Sequence, residues 1–307
     1  MSIIERALDR LDRLEDASKA PVSSAGVDSR IPSESGRQVQ VSEDAERRSR
    51  ASTDHAHVET SKPAAKSSRT VNLNLAGLSK AGILVPSSLN KRLIEEYRRI
   101  KRPILVKAFP EAGTAAVRNL VVVTSSVAGE GKSYTSLNLA MSVATEVDRT
   151  VLVIDADVVK QSLTARLELS GSVGLTDYLA SEGSDLAEFL VRTNVANLVV
   201  LPAGRHNQKV TELWASDRMR SLMAELSSRY ADRLVIFDSP PLLQDSSSAV
   251  LASMAGQVVV VIEAEKTPQH VVKEALTSID DLSKVGLLLN KSNQRIGDGS
   301  RYGYGYY

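Results

Sequence analysis

A lysine and a serine end a glycine-containing loop with the sequence SVAGEGKS at residues 126–133. An apolar run at residues 120–123 precedes this loop, and apolar side chains at helical spacing follow it. Loops that join a buried strand to a helix in this way bind phosphate through backbone amides and the helix N-terminus. We expect Lys132 to reach the β- and γ-phosphates of ATP and Ser133 to bind Mg²⁺. Ser126 stands where the usual pattern has glycine. The predicted nucleotide-binding residues of this loop are Ser126, Val127, Ala128, Gly129, Glu130, Gly131, Lys132, Ser133 and Tyr134.

Three aspartates follow two further apolar runs. Asp155 and Asp157 end the sequence VLVIDAD, and Asp238 ends the sequence VIFD. Carboxylates at strand ends can orient Mg²⁺ and accept the proton of an attacking hydroxyl group. We expect Asp155 to be the general base, with Asp157 assisting it or the metal, and Asp238 to hold Mg²⁺ through water. A helix N-cap is the alternative role for any one of them. The candidate Mg²⁺ ligands are Ser133, Asp155 and Asp238.

The composition excludes several classes of protein. The 307 residues include 38 Lys and Arg, 37 Asp and Glu, and no cysteine. Disulfides and thiolate metal sites are therefore excluded, and the near-zero net charge provides no basic field to favour nucleic acid. The longest apolar runs are too short to span a bilayer, and the N-terminus lacks an apolar signal core. We expect a soluble, cytoplasmic protein that does not bind nucleic acid.

Strand-like and helix-like segments alternate from residue 119 onward. This alternation is typical of an α/β fold with a doubly wound, mostly parallel sheet, whose site lies at the carboxyl ends of the strands. Strands are predicted at residues 120–123, 151–154, 198–201, 234–237, 258–262 and 285–289. Helices are predicted near residues 132–147, 209–229, 243–253 and 268–283.

The chain is expected to have four segments. Residues 1–17 carry apolar side chains at helical spacing, which predicts an amphipathic helix that binds a partner helix or another copy; a fraying terminal helix is the alternative. Residues 18–80 contain few large apolar side chains, which predicts a disordered linker. Residues 81–296 form the P-loop domain. Residues 297–307 form a flexible tail rich in glycine and tyrosine.

The motifs together resemble the bacterial tyrosine kinase family, within the MinD/ParA-like branch of P-loop NTPases. The resemblance covers about residues 81–307 and rests on SSVAGEGKS, VLVIDAD, VIFDSPP and the terminal RYGYGYY. MinD/ParA relatives carry a signature lysine at the position of Val127 and lack the tyrosine cluster. Val159 stands where the kinase family often has an arginine, and Lys160 follows it. The overall layout is most similar to the autokinases associated with exosortase exopolysaccharide loci.

The resemblance implies an ATP- and Mg²⁺-dependent tyrosine autokinase that controls exopolysaccharide synthesis or export. It further implies that the tail is phosphorylated in trans, and that Asn290 contacts the adenine, for which a helix cap or turn is the alternative. The implied partners are a membrane polysaccharide chain-length regulator (a co-polymerase) that activates the kinase at the inner face of the plasma membrane, and a cognate tyrosine phosphatase. The implied acceptors are Tyr302, Tyr304, Tyr306 and Tyr307.

A helix is expected over residues 90–102, ended by Pro103. By the same resemblance, Glu96, Arg99 and Arg102 on this helix assemble the chain into a ring; a solvated helix with i,i+3 ion pairs is the alternative. Two other functions stay open at this point. One is a MinD/ParA-like ATPase switch without protein kinase activity, and the other is a non-catalytic scaffold built from the N-terminal helix and the tail.

Overall fold

Apolar runs form the centre of an eight-stranded sheet in a computed structural model, which describes residues 69–110, 118–205 and 210–292. The strands are β1 (Arg69–Val71), β2 (Leu120–Ser125), β3 (Thr150–Asp155), β4 (Val191–Thr193), β5 (Leu198–Leu201), β6 (Arg233–Asp238), β7 (Gln257–Glu263) and β8 (Val285–Asn290). Their order across the sheet is β1-β4-β5-β3-β6-β2-β7-β8.

Six of these strands, from β5 to β8 in the sheet order, run parallel to one another. At the β1 edge, β4 pairs with β5 in the antiparallel direction, and β1 runs parallel to β4. The prediction of a doubly wound, mostly parallel sheet is therefore confirmed. Because β3, β6 and β2 are adjacent, their carboxyl ends meet at the middle of one sheet edge.

Helices cover both faces of the sheet. The helices are α1 (Leu75–Lys80), α2 (Lys91–Ala108), α3 (Lys132–Ala144), α4 (Ser162–Arg166), α5 (Leu175–Ala180), α6 (Val210–Trp214), α7 (Asp217–Ser228), α8 (Ser247–Met254) and α9 (Gln269–Leu276). Alternate residues of β2 belong to different hydrophobic clusters: Val121 and Val123 pack with α2 and α3, and Leu120 and Val122 pack with α7. This alternation follows from the two-residue period of a strand, which sends successive side chains to opposite faces.

Two sequence predictions about boundaries are wrong. The linker does not extend to residue 80, because residues 69–71 form an edge strand and Leu73 and Leu78 are buried beside it. Pro103 does not end its helix, since α2 continues to Ala108. Burial of Ile104 and Ala108 beyond the proline offsets the loss of one backbone hydrogen bond.

The other predicted elements are present with altered lengths. All six predicted strands form, whereas the segment expected as one helix near residues 209–229 is divided between α6 and α7. The predicted helix at 1–17, most of the predicted linker and the tail at 297–307 lie outside the described residues. No helix within the described part of the chain has the length and apolarity needed to cross a membrane.

Candidate nucleotide-binding site

The loop between β2 and α3 has the backbone shape of a phosphate cradle. Gly129 and Gly131 adopt φ values of 91° and 101°, in the left-handed region that favours glycine. Gly131 is also the N-cap of α3, so the amides at the start of this helix face the end of the loop. A Cβ atom at Gly131 would lie 2.1 Å from Asn290 Nδ2. Glycine is therefore required at position 131 both by the backbone and by the close approach of Asn290.

The lysine at the start of α3 lies inside the protein. Its Nζ atom is 2.7 Å from Asp157 Oδ2, and both side chains are more than nine-tenths buried. The hydroxyl of Ser136, one helical turn later, donates to Asp238 Oδ1 at 3.1 Å. The N-terminal part of α3 therefore contacts both Asp157 and Asp238.

The two strand-end aspartates lie side by side. Asp155 and Asp238 are register partners of β3 and β6, and both are fully buried. Asp155 is held by two backbone amides: Thr164 donates to Oδ2 at 2.8 Å, and Asp157 donates to Oδ1 at 3.2 Å. No sequence motif indicated Thr164, because its amide is brought to Asp155 by the short helix α4.

Burial and mutual repulsion perturb this pair of carboxylates. Burial raises the pKa of Asp155 to about 6, against the opposing effect of its hydrogen bonds from Thr164. Burial and the neighbouring charge of Asp155 raise the pKa of Asp238 to about 7, while Lys132, Ser133 and Ser136 oppose the rise. A carboxylate whose pKa lies near neutrality is suited to accept and release a proton in this pH range.

The oxygen atoms near Asp238 suit a divalent cation that takes most of its other ligands from a nucleotide and water. The Oδ2 atom of Asp238 is buried and has no hydrogen-bond partner, so a carboxylate oxygen is available to a ligand near the first turn of α3, which contains Ser133. The described residues contain no group of three or more His, Cys, Asp or Glu side chains that would form an all-protein metal site. Mg²⁺ is commonly bound by one or two protein ligands, water and substrate phosphates, which matches this arrangement.

Two residues at the end of β8 contact the backbone of the phosphate loop. Asn290 Nδ2 donates to the carbonyl of Glu130 at 2.8 Å, and Lys291 Nζ donates to the carbonyl of Gly129 at 2.8 Å. Asn290, for which a contact with the adenine stays a prediction, therefore contacts the phosphate loop. Lys291 was not predicted from the sequence, although its place directly after a strand-end asparagine could have indicated it.

Three other predicted loop residues have defined surroundings. The Ser126 hydroxyl is buried without a hydrogen-bond partner, and its carbonyl accepts from the amide of Leu243 at 3.3 Å. The Val127 amide donates to the Glu130 carboxylate at 2.8 Å, so it is already engaged within the loop. Tyr134 donates its hydroxyl to the carbonyl of Gly82 at 2.8 Å, which ties α3 to the segment before α2.

The exposed face of α2 carries the predicted assembly residues. Glu96 pairs with Arg92 at 2.8 Å, and Glu95 lies 2.7 Å from Arg98 and 3.8 Å from Arg99. These are pairs within one helix, as in the solvated-helix alternative, although Glu96 takes a partner four residues before it.

The structure thus brings Lys132, the three aspartates and Asn290 to one edge of the sheet. The predicted phosphorylation sites lie outside the described residues.

Comparisons with known proteins agree with this geometry. A family model described as an AAA domain matches residues 118–294. The tyrosine-protein kinase YwqD of Bacillus subtilis (strain 168) is 33% identical over 222 residues, which cover 71% of this chain and 87% of YwqD. EpsB of Ralstonia solanacearum is 35% identical over 222 residues, or 69% of this chain, but the match spans only 28% of EpsB. The kinase domain of Escherichia coli tyrosine kinase ETK has a TM-score of 0.58 and 26% identity, covering 69% of this chain and 81% of that domain. The chain therefore belongs to the bacterial tyrosine-protein kinase family of P-loop proteins.

Proposed function

We propose that this protein is an ATP- and Mg²⁺-dependent protein-tyrosine autokinase. The observation that carries the proposal is the convergence of Lys132, Asp155, Asp157 and Asp238 at adjoining strand ends beside a phosphate-binding loop. The kinases YwqD and ETK, which resemble this chain in sequence, support the same chemistry.

The loop and Lys132 bind and orient the phosphates of ATP. Amides at the start of α3 face the phosphates, and the Lys132 ammonium leaves Asp157 for the transferring phosphoryl group when nucleotide binds. Bound Mg²⁺, held by Ser133 and by Asp238 through water, would neutralise phosphate charge. The buried, partnerless Oδ2 of Asp238 supports this assignment.

Asp155 is the general base in this proposal. Amides of Thr164 and Asp157 fix its carboxylate, which leaves remaining lone pairs to accept the proton of a tyrosine hydroxyl. Its raised pKa makes it a stronger proton acceptor than an ordinary aspartate. Asp157 positions Lys132 through their ion pair and assists the base or the metal during transfer.

The acceptors are the tail tyrosines Tyr302, Tyr304, Tyr306 and Tyr307, phosphorylated in trans within a ring formed through Glu96, Arg99 and Arg102. Each added phosphate brings roughly −1.5 to −2 charges, so a modified tail is repelled from the acidic site and the ring loosens. We propose that this cycle supports exopolysaccharide synthesis or export. A membrane chain-length regulator activates the kinase at the inner face of the plasma membrane, and a tyrosine phosphatase resets it.

A complementation experiment tests kinase activity and the trans reaction together. One variant, Lys132→Met, keeps the tail but loses the catalytic lysine; the other replaces the four tail tyrosines by Phe and keeps the site. Each is incubated with ATP and Mg²⁺ alone, and then both are mixed. We expect phosphotyrosine on the Lys132→Met chain only in the mixture. Hydrolysis of ATP by the wild type without any phosphotyrosine would instead support the ATPase switch.

A further inference from the structure

A fully enclosed carboxylate lies within the phosphate loop. Glu130 is only 1% exposed. Its Oε2 atom accepts from the Val127 amide at 2.8 Å, and its Oε1 atom accepts from the Glu263 amide at 3.2 Å and the Thr267 hydroxyl at 2.6 Å. The side chain therefore joins the start of the loop to the end of β7 and the turn after it.

This placement is electrostatically unfavourable for a loop that binds a polyanion. Burial of a carboxylate carries a desolvation cost, and its charge repels phosphate oxygens that approach the same loop. Three hydrogen bonds offset the burial, but they do not remove the repulsion. A compensating benefit must come from the geometry that the side chain imposes.

The geometry is a loop held on two sides. The Glu130 carboxylate fixes Val127 and reaches β7, while Asn290 and Lys291 at the end of β8 hold the carbonyls of Glu130 and Gly129. With the Val127 amide and the two carbonyls engaged in this way, the loop is held in shape before any nucleotide arrives. Preorganisation of this kind lowers the entropy lost on binding.

We infer that the Glu130 side chain is a positioning residue, which sets nucleotide affinity by locking the phosphate loop to the end of β7. The inference rests on the proposed nucleotide site and goes beyond it, because it assigns control of the affinity to a buried carboxylate that is hydrogen-bonded to protein groups. The expected effect on nucleotide affinity is also opposite to what charge repulsion alone predicts. Removing the negative charge weakens the binding of an anion.

Glu130→Gln tests that sign directly. Glutamine keeps the shape and removes the charge, so electrostatics alone would tighten nucleotide binding. On the positioning account, the new amide nitrogen cannot accept from Val127 or Glu263, and the loop loses one of its attachments. We expect the dissociation constant for a fluorescent ADP analogue, measured without phosphoryl transfer, to rise about tenfold. An equal or lower constant in a folded variant would overturn the inference.

Two substitutions at Thr267 make the test independent of any folding defect at Glu130. Thr267→Val removes the hydroxyl that donates a hydrogen bond to Glu130, and Thr267→Ser keeps it. We expect the dissociation constant for the analogue to rise about threefold in Thr267→Val, with Thr267→Ser close to the wild type. The matched control is Thr277→Val, which removes an exposed hydroxyl bonded to the carbonyl of Glu274. Equal affinities for Thr267→Val and Thr267→Ser would contradict the inference.

The outcomes also separate this inference from the proposed function. A wild type that binds the ADP analogue but forms no phosphotyrosine would overturn the kinase assignment and leave the role of Glu130 testable. A double variant, Glu130→Gln with Thr267→Val, should bind about as weakly as Glu130→Gln alone, because both changes break the same link. Fully additive losses would show that Thr267 acts separately from Glu130, against the inference.

Discussion

Two groups of charged side chains in the described part of this protein differ greatly in their exposure to solvent. At the carboxyl edge of the sheet, Asp155 and Asp238 are fully buried and Lys132 is nearly so. On the outer face of α2, the side chains of Glu96 and Arg99 remain 30% and 64% exposed.

The difference shows which charged groups lower the stability of the fold and which have little effect on it. Buried carboxylates side by side are costly and have raised pKa values, and such groups cluster at functional sites. Exposed ion pairs within one helix contribute little to stability, so they can be exchanged for contacts with another molecule at small cost. The first region is suited to chemistry, and the second is the surface through which we propose that chains assemble.

The largest expected effect is on phosphoryl transfer in Lys132→Met. The substitution removes the ammonium group that contacts Asp157 in the acidic cluster and should lower autophosphorylation by about 10³-fold. Circular dichroism should show an unchanged fold, since methionine fills similar space. Phosphorylation of the tail at the wild-type rate would remove Lys132 from the catalytic site.

Asp155→Asn should reduce transfer by about 10²-fold while the affinity for ADP changes little. The amide preserves the shape but cannot accept a proton. Single-turnover transfer and equilibrium ADP binding, measured on the same preparation, separate the two effects. Transfer within threefold of the wild type would exclude Asp155 as the base.

Asp238→Asn should stabilise the nucleotide-free protein. Because the pKa of Asp238 rises from 3.8 to about 7 on folding, the folded state holds this proton more tightly, and the carboxyl lowers stability as the pH increases through that range. At pH 8 the variant should melt about 5 °C above the wild type, and at pH 4 the two should melt together. Exposed Asp148→Asn is the control. A variant that melts lower at pH 8 would contradict the assigned cost.

The smallest expected change in stability follows Glu96→Ala, Arg99→Ala and Arg102→Ala combined. The free energy of unfolding should change by less than about 1 kcal/mol, since the α2 pairs are exposed. Light scattering should nevertheless show a shift toward monomer, and autophosphorylation in trans should fall. The control, Glu95→Ala with Arg98→Ala, removes a similar pair from the same helix. An unchanged assembly would favour the solvated-helix interpretation.

The sequence alone predicts some parts of the fold and of the site, but not others. Continuous apolar runs predicted the six parallel strands, and the motifs at their ends predicted Lys132 and the three aspartates. The three-residue strands β1 and β4 were not predicted, because they contain little apolar sequence and form by pairing with each other and, for β4, with β5. Two of the partners of the Glu130 carboxylate, Glu263 and Thr267, lie more than 130 residues away in sequence, so no local pattern could indicate them.

Intact-mass spectrometry tests the central claim most directly. Dephosphorylated full-length protein is incubated with ATP and Mg²⁺, alongside the variant with all four tail tyrosines changed to Phe. We expect a ladder of phosphate additions in the wild type, mapped by tryptic digestion to Tyr302, Tyr304, Tyr306 and Tyr307, and almost none in the variant. A wild type that consumes ATP without any gain in mass would contradict the account of this protein as a tyrosine autokinase.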